Sequence, residues 1–239
     1  MRSLLLLVVA AIIAFGSVGD LAALTVSTEP GTTYNTTALT GFSTYGDMMD
    51  GMTVIATFSV GTETRSWADT GTEAGGVSGT GWSLSVTGNT FFDDRWSLTV
   101  DDSFTLTNLF IDAGAGDTVF DIIPDVTVSP GSATGTLFDA DYAGFLIATY
   151  SDLVGVGGTV NRDDDGNADL YRTLNLDFGT GGFSDGTILF SADTDNLERS
   201  GDLEPVDPVN PVPEPTTLLL LGTGLMGIAG VGRKKFFKR

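Results

Sequence analysis

Short runs of β-branched and aromatic residues, separated by glycine, aspartate and asparagine, dominate the chain from residue 53 to residue 191. Apolar and polar residues alternate within these runs, and a helical period of 3.6 is nearly absent. The clearest runs are 53–60, 82–87, 96–101, 104–111, 118–123, 145–150, 170–178 and 187–191. Eight such runs with turn residues between them predict an all-β domain, an antiparallel β-sandwich of jelly-roll type.

Two stretches interrupt this pattern. Residues 142–154 could hold a short helical insertion. Residues 69–81 contain five glycines and are expected to form a loop. No repeat of 20–50 residues is visible, which argues against a propeller or a solenoid.

The residue types that are missing exclude several function classes. The chain has no cysteine and no histidine, which excludes disulfides, thiolate zinc sites, cysteine nucleophiles and a histidine base. Between residues 24 and 211 there is no lysine, and five arginines stand among many acids. This balance excludes a nucleic-acid partner and favours cations as charged partners.

The N-terminus has the pattern of a secretory signal peptide. Arg2 precedes an uncharged apolar run from Leu4 to Phe15, and small residues follow. This order of basic, apolar and small residues predicts a signal peptide over residues 1–23. Residues 24–203 are then expected to be an exported domain.

The C-terminus contains a second apolar segment. Residues 216–232 are apolar, and as a helix they would span about 25 Å, close to the thickness of a hydrocarbon core. Five basic residues follow within 233–239 and would stay cytoplasmic. We therefore expect a single transmembrane helix, separated from the domain by a proline-rich linker over residues 204–211.

Val212, Pro213, Glu214 and Pro215 stand directly before this apolar segment. With the hydrophobic helix and the basic end, residues 212–239 resemble the PEP-CTERM sorting signal of Gram-negative bacteria. The resemblance implies an exosortase-type processing enzyme as a partner, and export to the cell surface or the extracellular matrix. A permanent single-span anchor is the alternative interpretation.

The best candidate for a metal site is the acidic segment from Asn161 to Asp169. Oxygen ligands alternate along it, and Gly166 occupies the sixth position, where a calcium loop turns sharply. The predicted calcium ligands are Asn161, Asp163, Asp165, Asn167 and Asp169. At position 12, Arg172 replaces the usual bidentate acid. A solvated acidic hairpin turn is the alternative.

Three other features are candidates for a function. The segment 193–196 is oxygen-rich and directly follows a predicted strand, where Asx-turn capping is expected. Asp69-Thr70-Gly71 matches the aspartic-protease triplet, but no second triplet is present. Trp67, Trp82 and Trp96 would either pack in the core or offer a stacking platform for sugar rings.

We therefore expect a structural or adhesive protein of the cell surface or extracellular matrix, without enzymatic activity. Calcium is the one cofactor expected. The alternative is a carbohydrate-binding module or a carbohydrate-active enzyme acting on exopolysaccharide.

Overall fold

A computed structural model of the protein describes residues 24–206, except residues 42, 94, 125–127 and 133. The predicted signal peptide and the predicted sorting tail lie outside the described residues. The described residues up to Pro205 belong to one compact unit. Within the described residues, strands and turns make up almost the whole fold, as the alternating sequence pattern predicts.

The larger sheet has ten strands. They are β1 (Leu24–Thr36), β2 (Leu39–Thr40), β3 (Thr53–Phe58), β4 (Gly61–Ser66), β9 (Leu106–Asp112), β10 (Thr118–Asp121), β12 (Leu146–Val156), β13 (Leu170–Asp177), β15 (Asp193–Leu197) and β16 (Glu204–Pro205). The strand order β16-β1-β12-β13-β10-β15-β2 forms one path, and β9, β3 and β4 extend the sheet from β13. All pairs are antiparallel except β1 with β12, which are parallel.

The smaller sheet has six strands in the order β11-β14-β8-β7-β6-β5. They are β5 (Ala68–Gly71), β6 (Ala74–Gly79), β7 (Trp82–Thr87), β8 (Trp96–Val100), β11 (Asp139–Ala140) and β14 (Gly186–Ser191). Every pair in this sheet is antiparallel.

The two sheets share one hydrophobic core. Strand β9 contributes Leu109 and Ile111 from the larger sheet, and β8 contributes Trp96 and Leu98 from the smaller one. The Trp96 ring stacks on Phe190 at a centroid distance of 5.5 Å. This shared core is what the alternation of apolar and polar residues along the strands requires, because each sheet buries one face.

Two sequence-based expectations are wrong. The segment 142–154 holds no helical insertion, because Leu146–Val156 is strand β12, paired along both of its edges. The glycine-rich stretch 69–81 is not a loop, because it contributes to β5 and β6, and glycines there allow close backbone approach. No helix within the described residues is long and apolar enough to cross a membrane.

Strand β13 lies inside the larger sheet and has partners along both of its edges. One edge of β13 pairs with β12, and the other edge pairs first with β10 and then with β9. Strand β10 in turn pairs with β15. The segment just before β13, the end of β10 and the start of β15 therefore meet at one place.

Candidate metal centre

The predicted calcium segment 161–169 forms a tight hairpin. Its ends are held by a bridge between Arg162 and Ala168, and Gly166 has a φ of +86° at the turn. Both carboxylate oxygens of Asp163 accept hydrogen bonds from Asn167, at 2.7 Å from the backbone N–H and 2.9 Å from the side-chain amide. The Asn167 side chain is the main reason that the pKa of Asp163 is lowered.

The five predicted ligands differ in their burial and in their hydrogen bonds. Asp165 and Asn167 are exposed, and the Asn161 amide donates to the carbonyl of Thr159. The Asp169 side chain is buried, and its Oδ2 accepts a hydrogen bond from the backbone N–H of Ser129 at 3.0 Å. Asp169 is thus the one predicted ligand whose carboxylate is held inside the domain.

A different group of carboxylates lies close together. Among the described residues, Asp121, Asp193 and Asp195 form the group of three acids whose ligand oxygens all lie within 4.8 Å of one another. Asp121 at the end of β10 pairs directly with Asp193 at the start of β15, and Asp195 follows two residues later on the same strand. Successive side chains alternate along a strand, so this register brings the three carboxylates together.

Asp169 is the fourth member of what we call the aspartate cluster: Asp121, Asp169, Asp193 and Asp195. The residue after Asp169 pairs with Asp121 in the β10–β13 ladder, and the carbonyl of Asp169 accepts from the N–H of Ile122 at 3.2 Å. All four residues are only 1% or 2% exposed. Four buried carboxylates in one place are unusual, because a buried charge needs a partner.

Neutral donors contact two of the carboxyl groups in the cluster. Asp121 accepts from the hydroxyl of Ser132 at 2.5 Å and from the N–H of Ile123 at 3.2 Å. Asp193 Oδ1 accepts from the N–H of Thr194 at 2.8 Å and from the hydroxyl of Thr90 at 3.2 Å. These neutral donors do not cancel the charge that Asp121 and Asp193 carry when they are ionised.

The pKa values of these acids show that burial disfavours their ionised forms. Burial, followed by the charge of Asp169, raises the pKa of Asp121 to about 9. Burial, followed by the charge of Asp195, raises the pKa of Asp193 to about 8. Burial also raises the pKa of Asp169. Without a cation, the site is therefore best satisfied by holding protons.

Two buried hydroxyl oxygens of residues beside the cluster, Ser129 Oγ and Tyr150 Oη, have no hydrogen-bond partner among the described residues. Tyr150 is fully buried, and after burial itself, the charges of Asp193 and Asp121 are what raise its pKa. Ser129 already donates its backbone N–H to Asp169. Unsatisfied buried oxygens are costly, so each requires an explanation.

Glycine backbone approaches the cluster closely on two sides. A β-carbon at Gly41 would stand 2.6 Å from Asp195 Oδ1, and one at Gly135 would collide with Asp121 Oδ1. Any other residue at these positions would intrude on the carboxylates.

Sequence reasoning missed this cluster. The sequence pattern predicts Asp121 only as part of a strand, and it favours a strand cap for the oxygen-rich segment 193–196. The available signal was an acid enclosed by apolar neighbours, as in Phe120-Asp121-Ile122 and Ala168-Asp169-Leu170. The meeting of residues so far apart in sequence depends on sheet register, which local patterns do not contain.

The other candidate sites are structural in this fold. Trp67, Trp82 and Trp96 are all buried, so they do not offer a stacking platform for sugars. Asp69 lies on the exposed strand β5, where its Oδ1 accepts from the N–H of Gly71 at 2.8 Å. That arrangement is a local turn-like contact.

Comparison with known proteins bears on the C-terminal segment. Residues 211–234 match the family model described as the PEP-CTERM protein-sorting motif. The match includes Val212, Pro213, Glu214 and Pro215 and the apolar segment that follows. No curated protein and no solved structure matches the chain. The chain therefore carries a PEP-CTERM protein-sorting motif, which marks an exported protein that an exosortase-type system sorts at the membrane.

Proposed function

We propose that this chain is a structural or adhesive protein of the cell surface or extracellular matrix of a Gram-negative bacterium. The match of residues 211–234 to the PEP-CTERM sorting motif carries the proposal. The apolar segment 216–232 holds the precursor in the membrane while an exosortase-type enzyme reads the segment 212–215. A signal peptide over residues 1–23 starts the export.

The character of the β-domain supports a structural role without catalysis. Two sheets enclose an aromatic core, and the chain lacks the histidine and cysteine on which many enzymes depend. A depression lined by Asp101, Asp102 and Asp185 encloses about 450 Å³ and is open to solvent. An enzyme site is expected to be more enclosed.

Binding of exopolysaccharide is the second candidate, and one surface feature favours it. Phe92 and Leu137 are each 51% exposed and line a depression of about 410 Å³ together with Asp93. The Arg95 guanidinium lies 5.6 Å from the centre of the Phe92 ring. An exposed ring beside polar groups is the kind of surface on which sugar rings stack. Loss of glycan-array binding in Phe92→Ala would support this candidate.

Mass spectrometry of the surface-exposed protein from its native host tests the main proposal. We expect a new N-terminus near residues 20–24 and a new C-terminus near residues 212–217. Glu214→Ala should retain the tail and remain in the membrane fraction. Asp207→Ala, which removes a nearby acid outside the matched segment, should be processed normally. An intact Arg239 on the surface-exposed wild-type protein would contradict sorting and indicate a permanent anchor.

A further inference from the structure

We propose that the aspartate cluster, Asp121, Asp169, Asp193 and Asp195, binds one calcium ion in the interior of the β-domain. The site is distinct from the predicted calcium segment, with which it shares only Asp169. It would link the end of β10, the entry to β13 and the start of β15, so the ion would tie together three neighbouring strands of the larger sheet.

Charge is the first argument. The cluster buries four carboxyl groups, each at most 2% exposed. Asp121, Asp169 and Asp193 accept hydrogen bonds from neutral donors, which are hydroxyl groups and backbone N–H groups. Carboxyl groups that are buried this close together are stable either when they hold protons or when they coordinate a cation.

The unpartnered oxygens are the second, independent argument. Tyr150 Oη and Ser129 Oγ are buried, belong to neutral side chains and have no hydrogen-bond partner among the described residues. A shared proton between carboxyl groups would satisfy the acids alone. A coordinated cation, with the water molecules it carries, would also give these hydroxyl groups a partner.

The choice of calcium follows from the donor type and the spacing. All available donors are oxygens, since the chain has no histidine or cysteine, and oxygen donors suit Ca²⁺ and Mg²⁺ rather than zinc. Calcium–oxygen distances of about 2.3–2.6 Å place opposite ligands about 4.6–5.2 Å apart. The oxygens of Asp121, Asp193 and Asp195 lie within 4.8 Å of one another, so they can share one coordination sphere. Magnesium usually keeps several water molecules and takes one or two carboxylates, so a group of four carboxylates suits calcium better.

Calcium titration of the chelator-treated full-length chain in detergent, at 150 mM sodium chloride, tests the inference. Isothermal calorimetry should give one ion per chain, and terbium should compete for the same site. Asp121→Asn with Asp195→Asn should weaken calcium binding at least tenfold. Asp163→Asn with Asp165→Asn removes the same number of charges from the hairpin and should leave the affinity within twofold of wild type.

Three outcomes would overturn the inference. The wild-type chain could bind no calcium, which would mean that the cluster holds protons instead. The cluster variant could keep wild-type affinity. The hairpin variant could lose binding, which would return the site to the segment 161–169. If the double cluster variant does not fold, two single variants decide between the cluster and the hairpin. Asp169→Asn should lose calcium affinity, and Asp163→Asn should keep it.

Discussion

Asp121 and Asp193 lie directly opposite each other on antiparallel strands, and both carboxyl groups are buried. Like charges at directly opposed positions destabilise a sheet, and burial makes the repulsion stronger. The fold nevertheless adds Asp195 and Asp169 to the same place. This arrangement is unfavourable when the acids are ionised and no cation is bound. The stability of the domain should therefore depend on pH.

In chelator, the domain should lose stability as the pH rises. The pKa values of Asp121 and Asp193 in the folded state, about 9 and about 8, lie far above the ordinary value of 3.8. The folded state therefore binds more protons than the unfolded state between pH 4 and pH 8. The stabilising effect of these protons is complete below about pH 4 and is lost as the pH rises through the folded pKa values. Each group contributes roughly 1 kcal/mol per pH unit to this loss.

Urea unfolding of the full-length chain in chelator, at pH 5, 6, 7 and 8 and constant ionic strength, checks this prediction. The charges that face Asp121 and Asp193 are those of Asp169 and Asp195, and Tyr150 stays neutral throughout. Asp121→Asn should flatten the decline. Asp139→Asn, an exposed acid on β11, should follow the wild-type curve. A wild-type protein that becomes more stable from pH 5 to pH 8 in chelator would contradict the raised pKa values.

Arg172 should be important for stability. Its guanidinium forms two hydrogen bonds with Asp112, at 2.8 and 2.7 Å, and lies 4.4 Å from the centre of the Tyr34 ring. These contacts join β13 to β9 and β1, and the ion pair is largely shielded from water. Arg172→Ala should lower the free energy of unfolding by about 2 kcal/mol. Arg172→Lys should recover only part of that loss, because lysine cannot pair in the same bidentate way.

Chemical denaturation of both Arg172 variants gives the measurement. Arg65→Ala is the matched control, because Arg65 pairs with Glu63 at 3.0 Å on a more exposed surface. Its effect should stay within about 0.5 kcal/mol, as for most surface ion pairs. Equal losses in Arg172→Ala and Arg65→Ala would show that shielding and the Tyr34 contact add nothing.

The strand content could be predicted because it depends on local alternation. The runs at residues 82–87, 96–101 and 170–178 become β7, β8 and β13 almost without change. Strand β1 has few apolar residues, and its partner β12 is more than one hundred residues away. A parallel pairing over that distance is not encoded in the pattern of either strand, so it could not be predicted locally.

The candidate site could be predicted only in part. Asp169 was selected as a ligand, but for a hairpin in which Asp163 instead bonds to Asn167. Arg172 departs from the calcium-loop pattern at position 12. Its side chain pairs with Asp112 on the neighbouring strand. Asp121 and Asp193 meet only through the register of β10 and β15, and their burial is a property of the packed domain.

The hairpin 161–169 should depend on Asp163 without any ion. Asp163→Ala removes both acceptors for Asn167, so the amide N–H of Asn167 should exchange with solvent several-fold faster. Global stability should change little, because the hairpin is on the surface and local openings there are decoupled from unfolding. Hydrogen exchange followed by mass spectrometry checks this, with Asp165→Ala as the exposed neighbouring control. Unchanged exchange at Asn167 in Asp163→Ala would contradict the role given to these hydrogen bonds.

Gly75 should be intolerant of any side chain, although it lies inside strand β6, where glycine is normally unfavourable. A β-carbon at this position would collide with the carbonyl of Gly46 and with Trp67 Nε1. Those two groups form a buried hydrogen bond of 2.9 Å. Gly75→Ala therefore both overpacks the core and disrupts this bond, which should cost roughly 2–4 kcal/mol of unfolding free energy.

Gly181→Ala is the matched control for Gly75→Ala, because no atom lies within 4 Å of a β-carbon built there. Its effect should stay within about 0.5 kcal/mol. Thermal unfolding followed by tryptophan fluorescence reports both stability and the environment of Trp67. A Gly75→Ala variant with wild-type stability would mean that β6 can move away from the Gly46 carbonyl, and that this contact does not hold Trp67 in place.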